Sequence, residues 1–257
     1  MNDTQIQQAA TALVETRRTM VPLAGLPSGT SPATTADAHA IQDATTALIG
    51  QDVAGWKASA PAGGEPSRGV IYAGTVVASP ADIPAATVPQ CGVEGEVAFV
   101  FRHALPPREA PYSRAEVAAA VEALPAIEIV HSRFPLDAAI SGLDKLADST
   151  SNGGLVVGAA KPNGQALDLG RLHVTLTVNN EAVLSQTGGH PTGDPLGTAV
   201  ALVNLMRETS GVRPGQYVTC GSCTGLRYLK PGDTCAVMFE GLGTASVTFA
   251  DADTAAL

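Results

Sequence analysis

Positive charge is scarce in this chain. Lysine occurs only at Lys57, Lys145, Lys161 and Lys230, and 15 Lys and Arg stand against 24 Asp and Glu in 257 residues. The resulting net charge of −9 speaks against a nucleic-acid backbone or an anionic membrane as partner, because both are bound through basic patches. Long apolar runs are missing too, and none approaches the roughly 18 residues that span a bilayer. Residues 1–20 read as polar and helical, with no basic stretch leading into an apolar one, so no secretory signal is expected. Cysteine is confined to Cys91, Cys220, Cys223 and Cys235, too few and too unevenly spread for a disulfide-stapled secreted domain. The expectation is a soluble, reduced, cytoplasmic protein. Hydrophobic residues make up 45% and charged ones 15%, which excludes wholesale disorder and allows a sizeable core.

The first fifty residues read as two alanine-rich amphipathic helices. Asp3 or Thr4 can cap the first, and Ile6, Ala10, Leu13 and Val14 share a face. The second runs over 35–49, with Gly50 at the left-handed cap position. From Val53 the pattern changes to short apolar runs broken by Pro and Gly, which is strand-and-turn chemistry. Residues 58–69 read as a mobile Gly/Pro-rich loop. Strands are expected over 93–101, 124–130, 173–178, 182–185, 217–220, 234–239 and 245–249, the fourth joined to the third through Asn179-Asn180. A capping box at Ser113 opens a helix through Ala123, and Asp194-Pro195 opens another that runs to Ser210 and stops at Gly211. The class is α+β: a mixed, mostly antiparallel curved sheet or β-roll with peripheral helices, divided into an N-terminal helical segment (1–52) and one larger unit (53–257).

The sharpest chemical signal is Val93-Glu94-Gly95-Glu96-Val97-Ala98-Phe99. Residues two apart on a strand point to the same side, so Glu94 and Glu96 project together and repel. A solvated strand face explains such a pair, but the apolar flanks Val93, Val97, Phe99 and Phe101 favour a sheltered one, where a divalent cation would remove the repulsion. Glu128 stands alone in the apolar run Ala126-Ile127-Glu128-Ile129-Val130. Together the three carboxylates would form a hard, oxygen-only site suited to Mg²⁺ or Mn²⁺, leaving positions for water and substrate. Cys220-Gly221-Ser222-Cys223 lacks the βαβ context of a redox pair and a second ligand pair for zinc. Gly241-Leu242-Gly243 is no dinucleotide fingerprint, since its third glycine and its helix are missing.

These segments resemble the 2-keto-4-pentenoate hydratase group of the fumarylacetoacetate hydrolase superfamily. The likeness runs from Gly55-Trp56-Lys57 through Glu94-Gly95-Glu96 and Ile127-Glu128 to Ser132-Arg133. It continues with Leu146-Ala147-Asp148, Asn152-Gly153-Gly154, Gly193-Asp194-Pro195, Pro214-Gly215-Gln216 and Lys230-Pro231-Gly232-Asp233. The resemblance implies a lyase that ketonises a 2-hydroxy-2,4-dienoate and adds water to give a 4-hydroxy-2-oxo acid, as in aromatic-ring catabolism, within a homo-oligomer. It implies Glu94, Glu96 and Glu128 as metal ligands and Lys57 as proton donor or enolate-stabilising cation; a snorkelling surface lysine is the plain alternative. An acid usual in the family is replaced by Ser67, so either Glu65 takes its catalytic role or the proton relay differs. His131 and Ser149 also depart from the family pattern. Arg68 can pair with a second substrate carboxylate or be a solvated loop arginine. Asp148, His190 and Thr224 match stretches near the family's substrate.

Two competing enzymes share this superfamily, a 2-oxo acid decarboxylase and a C–C bond hydrolase. The hydrolases rely on a His–Glu pair one turn apart, and here His39 is followed at that spacing by Gln42, which lowers that reading. A competitor of another class is a non-catalytic small-molecule-binding protein on the same fold.

Overall fold

The computed structural model describes residues 1–251; residues 252–257, the tail of the expected 53–257 unit, lie outside the described residues. Helix α1 (Asp3–Thr19) is capped by Asn2 rather than Asp3 or Thr4: the Asn2 side chain takes the Gln5 N–H and Gln5 returns the bond. Asp3 falls instead in the first turn, where a carboxylate faces the positive end of the helix dipole. Helix α2 (Thr35–Ile49) has the expected limits, with Thr34 as cap and Gly50 left-handed at φ 68°. The two helices bury Ala9, Leu13, Ala38 and Ile41 against Phe134, Leu146 and Ala147.

The rest of the chain runs β1 (Val53–Ser59), β2 (Ser67–Tyr72), β3 (Val76–Ala78), β4 (Ala81–Pro84), β5 (Gly92–Phe101), α3 (Arg114–Ala120) and β6 (Val121–Val130). It continues with α4 (Gly142–Ala147), β7 (Asn152–Val157), β8 (His173–Val178), β9 (Glu181–Thr187), α5 (Pro195–Met206), β10 (Tyr217–Ser222), β11 (Arg227–Tyr228), β12 (Thr234–Phe239) and β13 (Gly243–Ala250). Three expectations need correction. The loop over 58–69 shrinks to 60–66, because Ser67, Arg68 and Gly69 pair with Ser59, Ala58 and Lys57 in a hairpin. Helix α3 ends at Ala120, since Val121 already pairs with Phe101. Helix α5 ends at Met206, whose carbonyl accepts the N–H of the left-handed Gly211.

One sheet has the order β2-β1-β10-β5-β6-β7-β3 with β11 added on β5, and the other has the order β4-β13-β12-β8-β9. Only β1·β10, β3·β7 and β4·β13 are parallel among the described residues, in keeping with the mixed, mostly antiparallel expectation. The alternation along β5 sorts its side chains. Val93, Val97, Phe99 and Phe101 enter the main core, which also holds Val237, Phe239, Val247 and Phe249 of the second sheet. Ala98 and Val100 turn to the opposite face, where Ile71, Leu124, Ala126 and Leu155 form a smaller core. Each fully buried large apolar side chain contributes about 1.5–3 kcal/mol. A slip of one residue would exchange these faces and drive two glutamates into the main core, so the register is held firmly.

Candidate active site

Glu94 and Glu96 lie on the smaller-core face of β5. Antiparallel pairing sets Glu128 of β6 directly opposite Glu94, with Ala126 opposite Glu96. One carboxylate oxygen from each of the three glutamates lies within 4.8 Å of the others. Glu96 and Glu128 are fully buried, whereas the Glu94 side chain keeps 18% of its exposure. Lys57 reaches the same face from β1, its Nζ 2.7 Å from Glu128 Oε1 and 3.8 Å from Glu94 Oε2.

Local irregularities complete the setting. The pairing of β10 with β5 shifts between Thr219 and Ser222, and at this bulge the Gly221 N–H donates to Glu96 Oε2 at 2.8 Å. Asn152 Nδ2 donates to Glu128 Oε1 at 3.2 Å. After α4, Ser149, Thr150 and Ser151 have φ of 52°, 51° and 63°, a run of left-handed backbone that costs about 1 kcal/mol or more per residue. This turn brings the Thr150 carbonyl to Lys57 Nζ at 3.2 Å. Gly69, opposite Lys57, leaves room for it: a Cβ there would lie 2.6 Å from the Ser149 carbonyl oxygen and 3.2 Å from Lys57 Cγ.

The electrostatics follow from three acids and one ammonium. Burial pulls the Lys57 ammonium down, but Glu128, Glu94 and Glu96 outweigh it and hold the pKa above the ordinary lysine value. Burial raises Glu94; burial, then the neighbouring Glu128, pushes Glu96 up to about 8. With all three acids ionised the cluster carries two negative charges in excess, the charge one divalent cation would neutralise. Glu128 Oε2 is buried without a hydrogen-bond partner, and the donor set is oxygen only. Both features fit a hard dication.

Lys57 and Glu94 floor a cavity of about 240 Å³ walled by Val130, Phe134, Leu136, Ile140 and Leu226, with Lys145 and Tyr228 also lining it. A larger cavity, about 510 Å³, holds Trp56, Arg68 and Asp43, and it opens on the other face of β1 and β2. Of the two, the smaller is the one that Lys57 and Glu94 line.

The other expected site residues are held elsewhere. Arg68 pairs with Ala58, on the face away from Lys57, and its Nη2 grips both Asp43 oxygens at 2.7 and 2.8 Å. Glu65 is exposed on the turn after β1 and does not line the cavity. Asp148 is buried against Arg133, accepting from its Nε and, at 3.0 Å, from its backbone N–H. His190 Nε2 donates to the Cys220 carbonyl at 2.7 Å, behind the bulge that serves Glu96. The Thr224 hydroxyl accepts the Gly95 N–H at 2.8 Å and donates to the Gly225 carbonyl, fixing the backbone between the two glutamates. Sequence reasoning passed over Asn152, Thr150, Tyr228 and Lys145; the run Asp148-Ser149-Thr150-Ser151-Asn152, rich in turn formers, was the available signal for the first two. All four cysteines are free and buried, and burial pushes Cys223 up to about 12, which disfavours a reactive thiolate.

A mixed sheet gathers two buried carboxylates, a half-buried third and a lysine on one face, a donor set that could hold a hard cation. The Fumarylacetoacetate (FAA) hydrolase C-terminal family model matches residues 42–250, and the chain belongs to that family. It is 28% identical over 262 residues to the 2-keto-4-pentenoate hydratase of Paraburkholderia xenovorans (strain LB400), spanning 97% of this chain and 96% of that one. It is 30% identical over 136 residues to a 4-oxalocrotonate decarboxylase of Pseudomonas putida, spanning 52% and 51%. Among solved structures, 4-oxalocrotonate decarboxylase from Pseudomonas putida G7, complexed with magnesium and adipate, superposes with a TM-score of 0.84. That match covers 97% of this chain and 98% of the other at 22% identity, which shows the shared fold. No helix among the described residues is long and apolar enough to cross a membrane.

Proposed function

We propose that this chain is a lyase, a metal-dependent hydratase that converts a small 2-hydroxy-2,4-dienoate into a 4-hydroxy-2-oxo acid. The observation that carries this reading is the meeting of Glu94, Glu96 and Glu128 around Lys57, with Lys57 and Glu94 lining one cavity. Similarity to the hydratase relative over nearly the whole length of both chains supports it. Glu94, Glu96 and Glu128 would hold Mg²⁺ or Mn²⁺, which when bound supplies a Lewis acid for the carboxylate and 2-oxo oxygens of the substrate.

The chain's own residues do the rest. Glu128 and the Thr150 carbonyl hold the Lys57 ammonium in place, so a proton and a positive charge stand ready beside the substrate's 2-oxygen. Lys57 delivers its proton to C5 of the dienol and takes up the enol proton, leaving a 2-oxo-3-enoate to whose C4 water adds. Val130, Phe134 and Leu136 shelter the hydrocarbon part and strengthen the charge interactions at the floor. We assign the proton transfer to Lys57 and give Glu65 no step. A cytoplasmic homo-oligomer accords with free cysteines and with the exposed Leu136, Leu226 and Tyr228 around the mouth.

The decarboxylase relative keeps one alternative alive, since loss of CO₂ from a 2-oxo acid draws on the same charges. The deciding experiment incubates the purified chain with Mg²⁺ and a panel of 2-hydroxydienoic and 2-oxo-enedioic acids, and identifies the products. A 4-hydroxy-2-oxo acid is expected, with Lys57→Gln lowering kcat about a hundredfold or more. Released CO₂ would install the decarboxylase, cleavage into two carbon fragments the hydrolase, and no turnover of any acid a binding protein.

A further inference from the structure

A third cavity, of about 480 Å³, lies where the last turns of α1 and α2 meet the ends of β2 and β6. Arg17, Arg18 and Arg133 line it together with His131, and no aspartate or glutamate does. Val14, Met20, Leu48, Ile49 and Val88 supply an apolar wall. Its volume falls in the range of small-molecule sites.

Two of these polar groups are underused, while Arg18 is held by Glu15. Arg133 is fully engaged by Asp148 and by the Asn152 carbonyl. Arg17 is not: its Nη2 is 3.5 Å from Asp148 Oδ1, its guanidinium lies 5.6 Å from the Tyr72 ring, and its buried Nε has no hydrogen-bond partner. Nδ1 of His131 is likewise buried and unpartnered. Orphaned buried polar nitrogens are costly, and an acceptor would relieve Arg17 Nε and, in the tautomer that carries its proton there, His131 Nδ1. Charge points the same way, for Arg17 and Arg133 share the single carboxylate of Asp148. The carbonyl ends of two helices disfavour an anion, but Met20 and Gly50 N–H groups tie back the Thr16 and Thr46 carbonyls, and dipole effects fade within a turn.

We infer that this cavity is a second ligand site, separate from the catalytic one, that takes a small carboxylate with an apolar tail. The carboxylate meets Arg17 and His131, and the tail lies along Ile49 and Val88. The reading does not depend on the lyase chemistry, and its test needs no turnover.

The test is calorimetric titration of the full chain with pentanoate. Arg17→Gln and Leu48→Glu, the latter at an exposed rim position where the new charge repels an anion, should each weaken pentanoate binding about tenfold or more. Pentanamide, which has the shape without the charge, should bind weaker than pentanoate by a similar factor, and inorganic phosphate weaker still. A crystal grown with 5-bromopentanoate should show its bromine beside Ile49. Leu48→Glu keeps the test decisive if losing Arg17 loosens α1. Pentanoate affinity unchanged in both variants would mean binding elsewhere, the catalytic cavity included, and overturns the proposal. So does pentanamide or phosphate binding as tightly as pentanoate.

Discussion

Two clusters of buried charge sit a few residues apart in this protein, and they are built in opposite ways. Every nitrogen of Arg133 finds an acceptor: Nε and the backbone N–H go to the Asp148 carboxylate, Nη2 to its carbonyl and Nη1 to Asn152. Around Lys57 three carboxylates face one ammonium, and Glu128 Oε2 is left without a partner. Asn152 joins the two, taking Arg133 on its carbonyl and giving its side-chain N–H to Glu128. A balanced buried pair holds a fold in one arrangement; an unbalanced group stores a demand for something the chain does not contain. The function proposed above for the Lys57 cluster rests on that imbalance, whereas the Arg133–Asp148 pair serves the fold.

The largest expected effect breaks the unbalanced cluster. Glu96→Gln keeps the volume of the side chain and an acceptor for the Gly221 N–H, but removes one charge. Metal-dependent turnover should fall about a thousandfold, roughly 4 kcal/mol in the barrier. The metal-free variant should be no less stable than the parent in urea, because a carboxyl already pushed up to about 8 gains nothing from its charge. Full activity in the variant would leave the cluster without a catalytic part. Asp148→Asn attacks the balanced pair and should show the reverse pattern. Uncovering the Arg133 charge should cost about 3 kcal/mol or more of unfolding free energy. If the urea midpoint hardly moves, the pair is not what fixes the turn after α4.

The same contrast explains what the sequence discloses. Glu94 and Glu96 are legible because strand period is fixed and their apolar neighbours imply shelter. That Glu128 stands opposite Glu94 depends on β5–β6 register, which no local pattern prints. Glycine and proline crowd the stretch before Arg68, so the sequence offers it either as a loop arginine or as a partner for a substrate carboxylate; once Ser67 extends the hairpin, parity alone sends Arg68 to the far face. Asp148 and Thr224 carry chemistry that suits a substrate, and in the fold they bond Arg133 and the Gly95 N–H. Side-chain type is local, whereas the partner that uses it is a matter of tertiary structure.

The smallest expected effect comes from asking balanced clusters to accept another proton. His39 accepts the Arg68 N–H on Nε2, and burial, then the Arg68 charge, lowers it to about 4. His131 is lowered to about 4 by burial, then by Arg133. Both are neutral in the folded chain over a range where the unfolded chain, with histidines near 6.5, takes up protons. The unfolded state therefore binds more protons between about pH 6.5 and 4, and stability falls as pH drops through that window. Allowing for partial exposure, each histidine should account for about 1 kcal/mol. Urea unfolding at steps from pH 7 to 4 should show this decline, and His131→Gln should flatten part of it. An equally steep decline in that variant would mean that the cluster of Arg133, Arg17 and Asp148 tolerates a further positive charge, and that its balance is looser than its hydrogen bonds indicate.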